Sequence, residues 1–229
     1  MREIVLDTET TGLDPFEGHR IVEIGALELE NHLPTGRTYH QYINPERDMP
    51  AEAFAVHGLS QEFLGEKPVF AQIVEEFLQF VSSAPLIIHN ASFDMKFINA
   101  ELKWAGKAAL PPEQAIDSLA LARKKHPMGP NSLDALCKRY SVDNAMRDLH
   151  GALLDSELLA QVYLELIGGR QQSLTLVGLE NQNQKQNIRV SAARPRPQPL
   201  ALRLSEAEIA AHEAFVASLG EAAVWKKFS

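Results

Sequence analysis

Three short segments carry side chains that could do chemistry together. The first is Ile4-Val5-Leu6-Asp7-Thr8-Glu9-Thr10-Thr11-Gly12, in which two acids stand two apart at the end of an apolar run. A period of two puts both carboxylates on one face of a strand, where their repulsion is severe unless a cation sits between them. Hard divalent ions prefer such oxygen donors. The second segment is His89-Asn90-Ala91-Ser92-Phe93-Asp94, directly after the apolar Leu86-Ile87-Ile88. Its acid falls in the first turn of the next helix, a rigid position at the carboxyl edge of a sheet, where sites of open α/β sheets collect. The third is Leu149-His150-Gly151-Ala152-Leu153-Leu154-Asp155. Five residues correspond to about 140° of rotation at roughly 3.6 residues per turn, so His150 and Asp155 do not share a helical face. His150 is therefore placed on the entry loop, where an imidazole titrating near neutrality can take a proton from a water while Asp155 supplies another carboxylate.

The elements that must position these groups follow from hydrophobic period. Glu3–Asp7 and Ile21–Glu30 read as strands, with a third at Thr38–Ile43, and the Thr10–Pro15 stretch between the first two is too long for a two-residue hairpin. This is an antiparallel meander. After Pro50 the pattern turns helical, with Phe70, Ile73, Val74, Phe77 and Val81 on one stripe. Strand then alternates with helix: Leu86–Ile88, a helix from near Ser92 through Leu102, Ala115–Asp117, and Leu119–Lys125. Alternation of this kind favours parallel strands covered by helices. Ser132–Tyr140 reads as a helix capped by Ser132, and Gly151–Ile167 as a longer one ended by Gly168-Gly169.

Composition narrows the function classes. A net charge of −8 excludes binding of nucleic acid by general attraction, so any such contact is local, and an acid site loaded with divalent cations would reconcile a negative protein with a negative substrate. The lone cysteine, Cys137, fits a reducing compartment, with the cytoplasm expected, and no stretch reaches membrane-spanning length. Residues 171–186 are rich in Gln and Asn, and 193–199 are dense in proline, which is linker composition. Glu206–Leu219, with Ile209, Phe215, Val216 and Leu219, forms an amphipathic segment too small to fold alone, so a partner is expected to receive it.

Any one of these segments is common. Their conjunction in this order, D-x-E-T-T-G, then H-N-x-x-F-D, then H-x-x-x-x-D, resembles the DnaQ-like DEDDh family of 3'→5' exonucleases over residues 2–169. The resemblance implies a ribonuclease-H-like mixed sheet flanked by helices, with an extended C-terminal tail. It implies two divalent metal ions, Mg²⁺ or Mn²⁺, held by Asp7, Glu9, Asp94 and Asp155, with His150 as general base. It further implies that Asp7, Glu9, Thr10, Glu52, His57 and Asp155 surround the terminal nucleotide of a single-stranded or frayed DNA 3' end. Gln171, Leu174 and Leu176 resemble a short motif that binds the sliding clamp, and Ala207–Ala214 with Trp225 resembles the segment by which proofreading members dock on the alpha subunit of DNA polymerase III. A small theta-like subunit is a further partner that this setting allows. The expected organisation is an exonuclease domain over 1–169, a linker with the clamp motif over 170–204 and a polymerase-docking segment over 205–229. Two other readings compete: a DEDDh exoribonuclease, which would share all five catalytic residues, and a non-catalytic bridge between clamp and polymerase, which would predict loss of an acid.

Overall fold

The computed structural model describes residues 1–145, 149–168 and 205–220. The chain divides into two units, Met1–Leu174 and Thr175–Ser229. In the first, five strands form one sheet: β1 (Arg2–Thr10), β2 (Ile21–Glu30), β3 (Leu33–Tyr42), β4 (Leu86–Ile88) and β5 (Ala115–Asp117). Their order across the sheet is β3-β2-β1-β4-β5. β1 pairs antiparallel with β2 and β2 with β3, whereas β4 runs parallel to β1 and to β5. The mixed sheet expected from a meander followed by alternation is therefore the observed one.

Helices α1 (Ala51–His57), α2 (Gln61–Gly65) and α3 (Phe70–Val81) follow the meander. Then come α4 (Ala91–Trp104), α5 (Ser118–Lys125), α6 (Leu133–Tyr140) and α7 (Ala152–Leu166). The alternation of β1 sorts its side chains between two layers. Ile4 and Leu6 join Phe70, Phe77, Phe97 and Ile98 in the larger core under α3 and α4, and Val5 joins Leu27, Ile87, Leu159 and Tyr163 under α7. Each fully buried large side chain contributes about 1.5 to 3 kcal/mol. Because odd positions face α7, Asp7 and Glu9 project toward that helix, while Thr8 projects toward α4.

Several boundaries differ from expectation. β1 continues through Thr10, so Glu9 is held within the strand rather than just beyond it. β3 begins at Leu33, five residues before Thr38, because the two-residue turn Asn31-His32 (φ 51° and 67°) returns the chain at once and β2 supplies the pairing. Residues 33–37 lie exposed at the sheet edge and so lack the apolar alternation that marks a strand. Helices α1 and α2, seven and five residues long, are too short to set up an apolar stripe by which they could be read as separate elements. In the second unit, α8 (Glu206–Ser218) has a capping box between Ser205 and Glu208 and leaves Ile209 and Phe215 exposed. The clamp-motif residues Gln171, Leu174 and Leu176 and the segment around Trp225 lie outside the described residues.

One glycine governs how α7 meets the sheet. A Cβ on Gly25 would lie 2.1 Å from the Leu153 backbone nitrogen and 2.2 Å from the Ala152 carbonyl carbon. The N-terminus of α7 thus rests directly on the backbone of β2, and Ser156 Oγ donates to the Gly25 carbonyl at 2.9 Å. Gly25 is the register partner of Asp7, so this contact sets the distance between the first acid pair and the helix bearing Asp155. Gly25→Ala is expected to destabilise the fold by about 1 to 3 kcal/mol through overpacking against backbone that has no rotamer with which to yield. Denaturant titration checks this, and a stability equal to that of the parent protein would refute the contact.

Candidate active site

The three chemical segments converge on one cleft at the carboxyl end of β1 and β4. Asp7, Glu9, Asp94, His150 and Asp155 all line it, together with Thr8, His89, Asn90, Phe93, Ser132, Leu133 and Asp134. Ligand atoms of Glu9, His150 and Asp155 lie within 4.8 Å of one another, close enough to share one ion. His150 Nδ1 stands 3.2 Å from Asp155 Oδ2. His150 occupies the loop ahead of α7, as the rotation argument requires, and Gly151 is the N-cap. The backbone N–H of His150 donates to the Val56 carbonyl at 3.1 Å, mooring that loop to α1.

Asp94 is nearly inaccessible at 3 % exposure. The Thr8 N–H and the Thr8 hydroxyl both donate to its Oδ1, at 3.1 and 2.7 Å, so one oxygen is fixed by β1. Asn90 makes this delivery possible: at φ 72° it turns the chain from β4 into α4 in a left-handed conformation that asparagine tolerates better than most residues. Burial pushes the Asp94 carboxyl up to about 7 against the lowering influence of the Thr8 bonds. A buried acid held so far above its ordinary range, with three more carboxylates in the same cleft, is what a divalent cation would bring back to the ionised form. The donor set, all oxygen apart from the imidazole, fits Mg²⁺ or Mn²⁺.

A second arm of the cleft shares Thr8, Glu9 and Phe93 with the first and continues past Thr10, Thr11, Gly12 and Leu13 to Glu52, Val56 and His57 of α1. Its volume of ≈ 480 Å³ lies within the range of small-ligand sites. His57 is buried, which holds its imidazole below the ordinary range and therefore neutral. Its Nδ1 accepts from the Leu59 N–H at 3.0 Å, which places the proton on Nε2. That N–H faces the Thr10 carbonyl without closing a bond of normal geometry, leaving a buried donor beside the arm. Glu52 is exposed on the same helix. The expected substrate residues thus divide: Thr10, Glu52 and His57 line the second arm, Asp7 and Asp155 the first, and Glu9 both.

Sequence reasoning missed the residues that hold the acids in place. Thr8 anchors Asp94, Ser156 anchors α7 on β2, and His89 bridges a loop and the start of α5: its Nε2 lies 2.9 Å from the Asn131 carbonyl and its Nδ1 2.9 Å from Ser118 Oγ. Burial lowers the His89 pKa, so the ring is a neutral strut. Only Gly25 left a signal, since a glycine inside a strand marks close backbone approach.

Carboxylates on strand and helix ends, an imidazole within reach of one of them, and an adjoining slot of ligand size define the class: a metal-dependent hydrolase of phosphodiesters. The exonuclease family matches residues 4–163 of the chain. DNA polymerase III subunit epsilon of Rickettsia felis is 48 % identical, covering 96 % of this chain and 97 % of that protein. The epsilon subunit of Escherichia coli K12 is 44 % identical, covering 98 % and 97 % respectively. Among solved structures, the nuclease domain of 3'hExo, a DEDDh family member bound to rAMP, superposes with a TM-score of 0.63 at 19 % identity, over 72 % of this chain and 91 % of that one. Exonuclease X in complex with 5' overhanging duplex DNA gives 0.57 at 24 % identity, over 72 % and 90 %. These two share the fold. The chain belongs to the exonuclease family, in the group formed by the DNA polymerase III epsilon subunits.

The raised Asp94 pKa has a thermodynamic sign. A carboxyl whose folded pKa lies above its unfolded value stabilises the metal-free fold most below the unfolded pKa, and that stability is lost as pH rises from about 4 through about 7. Asp94→Asn keeps an acceptor for Thr8 but cannot ionise. In the presence of EDTA its melting temperature is expected to exceed that of the parent at pH 8 and to match it near pH 5. Differential scanning fluorimetry checks this, and equal melting temperatures at pH 8 would refute it.

Proposed function

We propose that this exonuclease proofreads for the replicative DNA polymerase, hydrolysing the terminal phosphodiester of a mispaired 3' end and releasing a nucleoside 5'-monophosphate. The observation that carries this reading is the lining of one cleft by Asp7, Glu9, Asp94, Asp155 and His150, residues far apart in a chain that aligns over nearly its whole length with epsilon subunits. The four acids are assigned as metal ligands, Mg²⁺ being the expected ion with Mn²⁺ as its substitute. Two such ions, when bound, supply Lewis-acid activation of the attacking water and stabilisation of the departing 3'-oxygen.

The chain's own residues do the rest. Thr8 fixes one oxygen of Asp94, so the acid presents the other toward the cleft without a rotamer search. Asp155 orients the His150 ring at 3.2 Å, and His150 Nε2 takes the proton of the attacking water. In the adjoining arm the His57 Nε2–H and the Glu52 carboxylate receive the sugar of the terminal nucleotide, while the Thr10–Leu13 loop packs on its base. Discrimination against mismatches needs no reading of base edges: a frayed end costs less to unpair, so it enters the arm more often.

The remaining assignments concern the tail. Residues 170–204 are assigned as a linker whose Gln171, Leu174 and Leu176 meet the sliding clamp, and 205–229 as the segment that docks on the polymerase alpha subunit. Exposed Ile209 and Phe215 on α8 support a docked partner for that helix. The relatives' names, as subunits of DNA polymerase III, support the same setting, to which a theta-like subunit is also assigned.

Asp7→Ala is expected to abolish mononucleotide release from 3'-labelled DNA while the circular dichroism spectrum stays that of the parent. His150→Ala should retain activity reduced about 10²- to 10⁴-fold, the usual contribution of a general base. Full activity in either variant would remove its residue from the chemistry. Deleting residues 170–229 should leave exonuclease turnover intact and abolish co-elution with the polymerase subunit in size-exclusion chromatography. Continued co-elution would move the docking surface onto the catalytic domain.

A further inference from the structure

The net charge of −8 leaves open how a negative strand is held beyond the acids themselves, and one part of the surface departs from that balance. Residues 123–139 hold five cations, Arg123, Lys124, Lys125, Lys138 and Arg139, against the single acid Asp134. They fall in the last turns of α5 and α6 and all are exposed. Lys125 is occupied in capping α7, donating to the Glu165 and Leu166 carbonyls. Arg139 braces the intervening loop through the Pro130 carbonyl at 3.1 Å and Asn131 Oδ1 at 3.3 Å, two bonds that leave further donors of the five on a guanidinium. Arg123, Lys124 and Lys138 make no hydrogen bond or ion pair to any described residue.

The place of this lobe relative to the cleft is defined by His89. Its ring lines the metal-site arm and bridges Ser118, at the start of α5, to Asn131, on the loop that Arg139 braces. Burial is the main influence that lowers the His89 pKa, and the Arg123 charge acts in the same direction. Through Arg139, Asn131 and His89 the lobe is connected to the arm that holds Asp7, Asp94 and Ser132–Asp134, whereas none of these linking residues lines the arm of Thr10, Glu52 and His57. If the terminal nucleotide fills the α1 arm and the scissile phosphate lies at the acids, the strand must leave through the other arm, toward α5 and α6.

We propose that Arg123, Lys124, Lys138 and Arg139 form a phosphate track for the DNA strand on the 5' side of the bond being cut. This rests on the exonuclease reading above. Guanidinium and ammonium groups with N–H donors to spare are suited to backbone phosphates, which they meet without regard to base sequence. Such contacts would give a negative protein its hold on substrate and leave the terminal arm free to accept any base. Asp134, at the rim of the cleft, is the one acid within the segment and marks where the track gives way to the metal site.

The test compares the full-length protein with the variant Arg123→Gln/Lys124→Gln/Lys138→Gln, whose replaced side chains are exposed and brace nothing among the described residues. Two substrates are used: an oligothymidylate, and the p-nitrophenyl ester of thymidine 5'-monophosphate, which has no upstream phosphate to reach the lobe. The ratio of kcat/KM on the oligonucleotide to that on the ester should fall on the order of tenfold in the variant at low salt. Anisotropy titration of a labelled oligonucleotide in EDTA, where no turnover occurs, should show a salt slope flatter by about 0.7 for each phosphate that the variant no longer neutralises. The single variant Arg123→Lys, which keeps the charge, should behave as the parent in both measurements. An unchanged ratio and an unchanged salt slope in the triple variant would overturn the track and assign the lobe to a protein partner instead. Failure of the parent protein to hydrolyse either substrate would sink the nuclease reading, while the anisotropy slope would still decide whether the lobe holds the strand.

Discussion

Four carboxylates in one cleft, three of them buried, make a site that the protein alone cannot balance. Loss of hydration acts against ionisation, and the upward displacement of the Asp94 carboxyl, driven by its burial with the Asp117 charge adding to it, is the visible result. The fold keeps these groups together because each is fixed to a rigid element: Asp7 and Glu9 on the central strand, Asp94 in the first turn of α4, Asp155 in the first turn of α7. Divalent cations would turn that cost into function, since the same field that disfavours free carboxylates favours hard cations among them.

Most of the surrounding structure can be understood as holding those acids at the required separation. Thr8 sits between Asp7 and Glu9 yet points to the opposite layer, so a single strand presents two acids to one side and an anchor for a third to the other. Gly25 lets the N-terminus of α7 come down onto β2, a distance that any side chain would widen. The Arg20–Glu101 pair, bidentate at 2.8 Å on both bonds, ties the start of β2 to α4 and so steadies the loop that carries Thr10–Leu13.

The acids and their elements are legible in the chain because the spacing of apolar residues fixes which face each acid occupies. The meander, the alternating strands and helices, the Ser132 cap and the loop position of His150 all follow from such local rules, and all are found. What escapes a reading of the residues depends on contacts between distant segments. The early start of β3 is imposed by pairing with β2 rather than by its own side chains. The roles of Thr8, His89 and Ser156 exist only once β1 meets α4, β4 meets the loop at Asn131, and β2 meets α7. No periodicity in the chain announces these meetings. The two short helices before α3 are hidden for a different reason: neither spans enough turns to show a period, and Phe54 and Val56 are exposed.

One backbone contact links recognition to chemistry. The amide of His150 is bonded to the carbonyl of Val56, one residue before His57, and Gly58 packs against Leu149 so closely that a Cβ there would come within 2.6 Å of its side chain. The loop bearing the imidazole is thus fastened to the short helix that lines the second arm of the cleft. Any displacement of α1 is therefore passed straight to the loop that carries the imidazole, because the two share a backbone hydrogen bond rather than a side chain that could rotate to absorb it.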